Sequence, residues 1–96
     1  MFGLFTKSKS ITDLLQEGAT IIDVRSKAEY QSGHLKNSVN IPLETLERNL
    51  KRIRTDKPVI TVCRSGMRSG LAKRMLKSHN YDVKNGGPWT NLMMYE

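Results

Sequence analysis

Apolar residues along this chain fall in short clusters of two kinds, one with helical spacing and one in unbroken β-branched runs. Ser10-Ile11-Thr12-Asp13 offers a serine N-cap with an acid three residues on, Leu14 and Leu15 supply an apolar side, and Gly18 a stop, so a first helix is expected there. Ile21-Ile22-Asp23-Val24 then reads as a buried strand. Ser26-Lys27-Ala28-Glu29 repeats the capping pattern and opens a brief helix that Gly33 ends. Val39-Asn40-Ile41 is a second short strand, and Pro42 suits the start of the next helix. In that helix Leu43, Leu46, Leu50 and Ile53 recur on one side, with Glu44, Glu47, Arg48, Lys51 and Arg52 on the other.

Val59-Ile60-Thr61-Val62 is the most strand-like run and carries no charge, which predicts that both of its faces are covered, as inside a parallel sheet. The polar stretch Arg64-Ser65-Gly66-Met67-Arg68-Ser69 reads as a flexible loop. Leu71, Ala72, Met75 and Leu76 mark a helix running to about His79. Asp82-Val83 is a weak last strand, Asn85-Gly86-Gly87 a turn, and Pro88 the first residue of a closing short helix. Strands alternating with helices predict an α/β architecture with right-handed crossovers. Ligands of such sheets bind beyond the carboxyl ends of strands, which is where Cys63 stands.

The 96 residues are expected to form one domain, with a core from about residue 10 to 92. At 38% hydrophobic and 26% charged, the composition is that of a globule rather than a disordered tail. A single cysteine excludes an internal disulfide framework and a multi-thiolate zinc site, and two histidines argue against any metal. No apolar run approaches the roughly 18–20 residues of a membrane span. The opening MFGLFTKSK lacks the charge, apolar length and cleavage pattern of a secretory signal, so a reduced, cytoplasmic setting is expected.

The net charge of +7 is unevenly placed. Residues 48–77 hold ten basic side chains against the one acid Asp56, which leaves the remainder nearly neutral. For any one of these residues a solvated helix face is explanation enough. Together, surrounding the lone cysteine, they predict attraction of an anion or an acidic partner.

Around Cys63 several effects favour thiolate over thiol. A strand that ends in a short glycine-containing loop and a helix turns successive N–H groups inward, and the helix start adds positive potential. Gly66 permits positive φ or close backbone approach. Arg64 and Arg68 add fixed charge. The pKa of Cys63 is therefore expected below that of free cysteine, and the thiolate is the nucleophilic form. The competing reading is a cysteine buried for packing alone, and the Arg-Ser-Gly-Met-Arg-Ser that follows argues against it.

Asp23-Val24-Arg25, Glu29-Tyr30, Gly33-His34-Leu35, Asn40-Ile41-Pro42, the run from Val62-Cys63 through Arg68-Ser69, and Gly86-Gly87 together resemble a single-domain rhodanese-like sulfurtransferase. The resemblance spans about residues 10–92. It implies a central, mainly parallel sheet of about five strands flanked by helices on both faces. It also implies that the Cys63 thiolate takes the outer sulfur of thiosulfate or a related donor as a persulfide and yields it to cyanide or a thiol. Backbone N–H groups of residues 64–69 (Arg64, Ser65, Gly66, Met67, Arg68, Ser69) would cradle the anion, and Arg64 and Arg68 would attract the donor. No cofactor is implied, because the cysteine carries the sulfur; a sulfur-relay protein is an implied partner.

The arginine follows Cys63 with four intervening residues. Cysteine phosphatases place five, so the loop here is expected to suit one sulfur atom rather than a tetrahedral phosphate. Met67, where the family commonly has a polar residue, brings a soft thioether to the loop, and Trp89 follows the glycine pair more closely than in the family's usual pattern. Asp23, Arg25 and Glu29 are expected to fix the strand-to-helix turn, His34 and His79 to have local structural roles, and Trp89 to be core or pocket wall. The rival readings are a sulfur carrier or partner-binding module with little small-donor turnover, a cysteine phosphatase or arsenate reductase, and nucleic-acid binding through the basic stretch. The last has little support, since the chain is poor in aromatics and lacks a nucleic-acid motif.

Overall fold

The computed structural model describes residues 9–96, so the apolar positions Phe2, Leu4 and Phe5 lie outside the described residues. Helix α1 (Ile11–Gln16) starts at a reciprocal capping box in which the Ser10 hydroxyl takes the Asp13 N–H and the Asp13 carboxylate takes the Ser10 N–H. Strand β1 is Thr20–Asp23, and α2 (Lys27–Gln31) opens with the same device at Ser26 and Glu29. Strand β2 is Ser38–Asn40, α3 Leu43–Leu46, β3 Val59–Cys63, α4 Met67–Ser78 and β4 Val83–Pro88. A 3-10 segment, Trp89–Tyr95, closes the chain.

The strands form one parallel sheet in the order β2-β1-β3-β4. Among the described residues it has four strands, where the resemblance implies about five. From β1 the chain moves outward to β2, then returns to the other side of β1 as β3. The carboxyl ends of β1 and β3 therefore flank the point where strand order reverses, the place where open parallel sheets hold ligands. Asp23 ends β1 and Cys63 ends β3.

Alternation along β3 divides the core. Val59 and Cys63 join Ile22, Val24, Leu46, Ile53, Ala72 and Leu76 on the face covered by α3 and α4. Ile60 and Val62 join Leu14, Leu35 and Leu92 on the face covered by α1 and the closing segment. All five residues of β3 are buried, as its uncharged run predicts.

The single amphipathic helix expected for Leu43 to Ile53 is shorter than its pattern. Its α-helical part ends at Leu46, and Glu47–Arg52 continues as a 3-10 segment interrupted at Asn49 (φ −118°, ψ 23°). The Asn49 amide donates back to the Thr45 carbonyl at 2.8 Å, and such a local side-chain bond competes with helix continuation. Leu46 and Ile53 still reach the core.

The expected Asn85-Gly86-Gly87 turn is instead part of β4. Thr61 pairs with Asn85 and Val62 with Gly87, so Gly86 is the extra residue of a bulge. A Cβ on Gly86 would lie 2.8 Å from Ile60 Cγ2 and 3.1 Å from the Thr61 oxygen, a close approach that only glycine allows.

Candidate active site

Beyond Cys63 the loop is shorter than its polar sequence suggests. Helix α4 begins at Met67, so only Arg64, Ser65 and Gly66 form the connection, and Met67, Arg68 and Ser69 belong to the first helical turn. Gly66 caps the helix with φ 101° and ψ −9°, a left-handed conformation that costs a residue with a Cβ about 1–2 kcal/mol. Early N–H groups of a helix have no partner within it. Here they converge on the cysteine sulfur. The Gly66 N–H donates to Cys63 Sγ at 3.0 Å and the Ser69 N–H at 3.4 Å. The Ser69 hydroxyl oxygen lies 3.4 Å from the same sulfur.

Burial pushes the Cys63 thiol up, but the Ser69 hydroxyl and the backbone N–H groups of Ser69, Gly66 and Ser65 outweigh it and hold its pKa below the ordinary value. The direction is the one the sequence predicts, and hydrogen-bond donors produce it. The setting is more enclosed than expected, since Cys63 has no exposed surface and lies beneath the connection. Arg64 and Ser65 are exposed above it, and Met67, 77% exposed, stands beside them.

Arg68 does not stand free. Its guanidinium grips the Glu29 carboxylate with Nη1–Oε1 at 2.8 Å and Nη2–Oε2 at 3.0 Å. The Arg68 hydrogen bond and the Ser26 N–H, with the smaller attraction of the Arg68 charge, hold the Glu29 carboxyl well below the usual carboxylate range. Among the described residues Arg64 makes no salt bridge and is the exposed cation of the connection. The two arginines expected at the donor thus differ in setting, Arg68 paired with Glu29 and Arg64 exposed. Nothing in the spacing of Glu29 and Arg68 announces their pairing.

At the end of β1, Arg25 forms a buried ion pair with Asp23, its Nη2 2.7 Å from Oδ2 and its Nε 2.9 Å from Oδ1. Arg25 also donates to the carbonyls of Gly33 and Glu29, and its guanidinium lies 4.7 Å from the centre of the Trp89 ring. These bonds fix the β1-to-α2 turn, as expected. His34 donates its Nδ1–H to the Tyr30 carbonyl and stacks on the Tyr30 ring, and His79 meets Glu47 at 3.2 Å.

Asn85 is the residue the sequence reading missed. From the β4 bulge its side chain bonds the Ser69 hydroxyl, the Gly66 carbonyl and the Gly87 N–H. An asparagine before two glycines reads as a turn, and only the bulged register turns it toward the site.

Among the described residues no group of three metal-binding side chains converges, and no helix is long and apolar enough to cross a membrane. What the geometry defines is a parallel α/β fold with a cysteine at a strand end, its sulfur set under an N–H-lined turn that opens a helix. The model of the rhodanese-like domain matches residues 8–87, and the chain belongs to that family, which is one of sulfurtransferases. It is 40% identical over 72 residues to the uncharacterized protein YqhL of Bacillus subtilis, covering 71% of this chain. The chain spans 57% of the length of that relative. It is 34% identical over 76 residues to the thiosulfate sulfurtransferase PspE of Escherichia coli, covering 76% of this chain and 73% of PspE. The solved structure of a rhodanese with anions from E. coli superposes with a TM-score of 0.70 at 32% identity, covering 78% of this chain and 92% of the other.

Proposed function

We propose that this chain moves sulfane sulfur from thiosulfate, or a related anionic donor, to a thiophilic acceptor through a persulfide on Cys63. The observation that carries the reading is the sulfur of Cys63 receiving N–H groups from Gly66 and Ser69 at the head of α4. Family membership supports the reaction class, and the thiosulfate sulfurtransferase PspE supports the donor.

The Cys63 thiolate attacks the outer sulfur of thiosulfate, the S–S bond of the donor breaks, and its electron pair leaves with sulfite. The enzyme retains a persulfide anion. An acceptor, cyanide or a thiolate, then attacks the outer sulfur and returns Cys63 as thiolate, so charge and electrons balance over both halves. The N–H groups of residues 64–69 stabilise the anion in each half. Arg64 draws in the donor, and Arg68 keeps positive charge at the helix start while Glu29 holds it in place. Because Cys63 is fully covered, donor entry requires the short connection over it to shift. Met67 offers a soft contact for a donor or an acceptor protein, and a reducing compartment keeps the cysteine free.

The same covered sulfur favours a second reading, a sulfur-relay module that accepts sulfur from a protein partner and turns over small donors slowly. Thiocyanate formation from thiosulfate and cyanide tests the choice. Turnover that disappears in Cys63→Ser supports the enzyme. Sulfur taken up only from a protein persulfide supports the relay module, and hydrolysis of an aryl phosphate without sulfur uptake overturns both.

A further inference from the structure

The amide of Asn85 has only one orientation compatible with its neighbours. Its Oδ1 accepts the Gly87 N–H at 2.9 Å, and its Nδ2 donates to the Gly66 carbonyl at 3.1 Å. Turning the amide over would set two donors against each other at Gly87 and two acceptors at Gly66. The oxygen therefore faces Ser69. A carbonyl oxygen only accepts, so the Ser69 hydroxyl donates to it across 2.7 Å.

A hydroxyl has one hydrogen. With that hydrogen given to Asn85, Ser69 Oγ can only accept at Cys63 Sγ, 3.4 Å away, and only a protonated thiol can donate there. When Cys63 ionises, the same contact sets a lone pair against an anion. The Ser69 hydrogen then has to swing from Asn85 to the sulfur, and Asn85 Oδ1 keeps the Gly87 N–H as its remaining partner.

We propose that Asn85 is a positioning residue of the sulfur site: it takes the Ser69 hydroxyl hydrogen in the resting thiol form and releases it to the sulfur when the anion forms. Asn85 thus competes with the Cys63 anion for one hydrogen. Through Nδ2 it also clasps Gly66, whose N–H is the shortest donor to the sulfur.

The charged groups around this chain of bonds are Arg64, Arg68 with its partner Glu29 and the nearby Glu44 of α3, the Asp23–Arg25 pair at the end of β1, and Lys84 on β4. All are retained in the variants that follow. The inference takes Cys63 as the reacting sulfur, but ionisation of the thiol can be read without any sulfur transfer, so failure of one idea is separable from failure of the other.

The test is the pH dependence of Cys63 alkylation by iodoacetamide, with thiolate absorbance as a second readout. Asn85→Ala removes the competitor and the clasp on Gly66 together; release of the Ser69 hydrogen to the sulfur outweighs the loosened Gly66, and about threefold more thiolate is expected at a given pH. Asn85→Asp keeps an acceptor, strengthens its hold on the Ser69 hydrogen, removes the clasp on Gly66 and adds a negative charge that itself opposes the thiolate. About tenfold less thiolate is expected, equivalent to a shift of one pKa unit. In a Ser69→Ala background only the loss of the clasp remains, so the Asn85→Ala gain of thiolate should disappear, and the Asn85→Asp loss should shrink by at least half. Equal losses of thiolate in Asn85→Ala and Asn85→Asp, or an Asn85→Ala gain of thiolate that persists without the Ser69 hydroxyl, would overturn the proposal. Should Asn85→Ala not fold, Asn85→Asp with and without Ser69→Ala decides: identical shifts in both backgrounds contradict the exchange.

Discussion

Glu29 and Arg68 stand 39 residues apart and meet in a two-pronged ion pair of 2.8 and 3.0 Å. The same carboxylate also takes the Ser26 N–H at 2.9 Å, completing the cap of α2. One side chain therefore joins the turn after β1 to the helix start after β3. It also fixes the direction in which the Arg68 charge points.

Glu29→Gln should release the Arg68 charge toward the site. A lower KM for thiosulfate is expected, with little change in kcat, as steady-state kinetics would show. Both partners keep about a third of their side-chain surface exposed, so screening limits the loss of stability to about 1 kcal/mol or less. The folded-state carboxyl lies below its ordinary 4.5, so its contribution is complete above that pH and is lost as pH falls below it. The acid side of a stability–pH curve should accordingly be flatter in Glu29→Gln, and an unchanged acid side would contradict the assignment.

Arg64→Ala should raise KM for thiosulfate severalfold while leaving a neutral organic trisulfide almost unaffected. Arg68→Ala should do the same and also strand the Glu29 charge near the site, which makes its effect on thiosulfate the larger. Parallel kinetics with the two donors check this, and equal losses with both donors would show that neither arginine reads charge.

Much of this arrangement is legible in the sequence because local chemistry determines it. Both capping serines, Ser10 and Ser26, act through residues three positions away, and the uncharged run of β3 announces burial on two faces. The donors around Cys63 follow from a strand, a glycine and a helix in succession. What stayed hidden depends on register or on distant partners. Asn85 reaches Ser69 because Gly86 bulges β4, and Arg68 is held by a residue from another helix. The helix expected to run to Ile53 breaks at Asn49 because one amide bonds the backbone behind it, a choice that hydrophobic spacing does not encode.

Asp23→Ala should destabilise the domain by about 3–5 kcal/mol, since it leaves Arg25 charged and only 4% exposed. Chemical denaturation would measure the loss. A cost below 1 kcal/mol would mean that water reaches Arg25 freely.

Gly66→Ala should cost about 1–2 kcal/mol from positive φ alone. The added Cβ would meet Gly87 Cα at 3.4 Å, an ordinary contact, so the strain lies in the backbone, and relaxing it would displace the N–H that meets Cys63 Sγ. Because hydrogen bonds hold the thiol below its ordinary pKa, weakening one should move ionisation upward and reduce alkylation at neutral pH. A variant with lost stability but unchanged ionisation would separate the turn from the electrostatics.

The most direct measurement is the intact mass of the protein after incubation with thiosulfate and removal of excess donor. The account predicts a gain of one sulfur atom, absent in Cys63→Ser and removed by cyanide with return of the original mass. A protein that alkylates normally at Cys63 yet takes up no sulfur from thiosulfate or any other sulfane donor would contradict it.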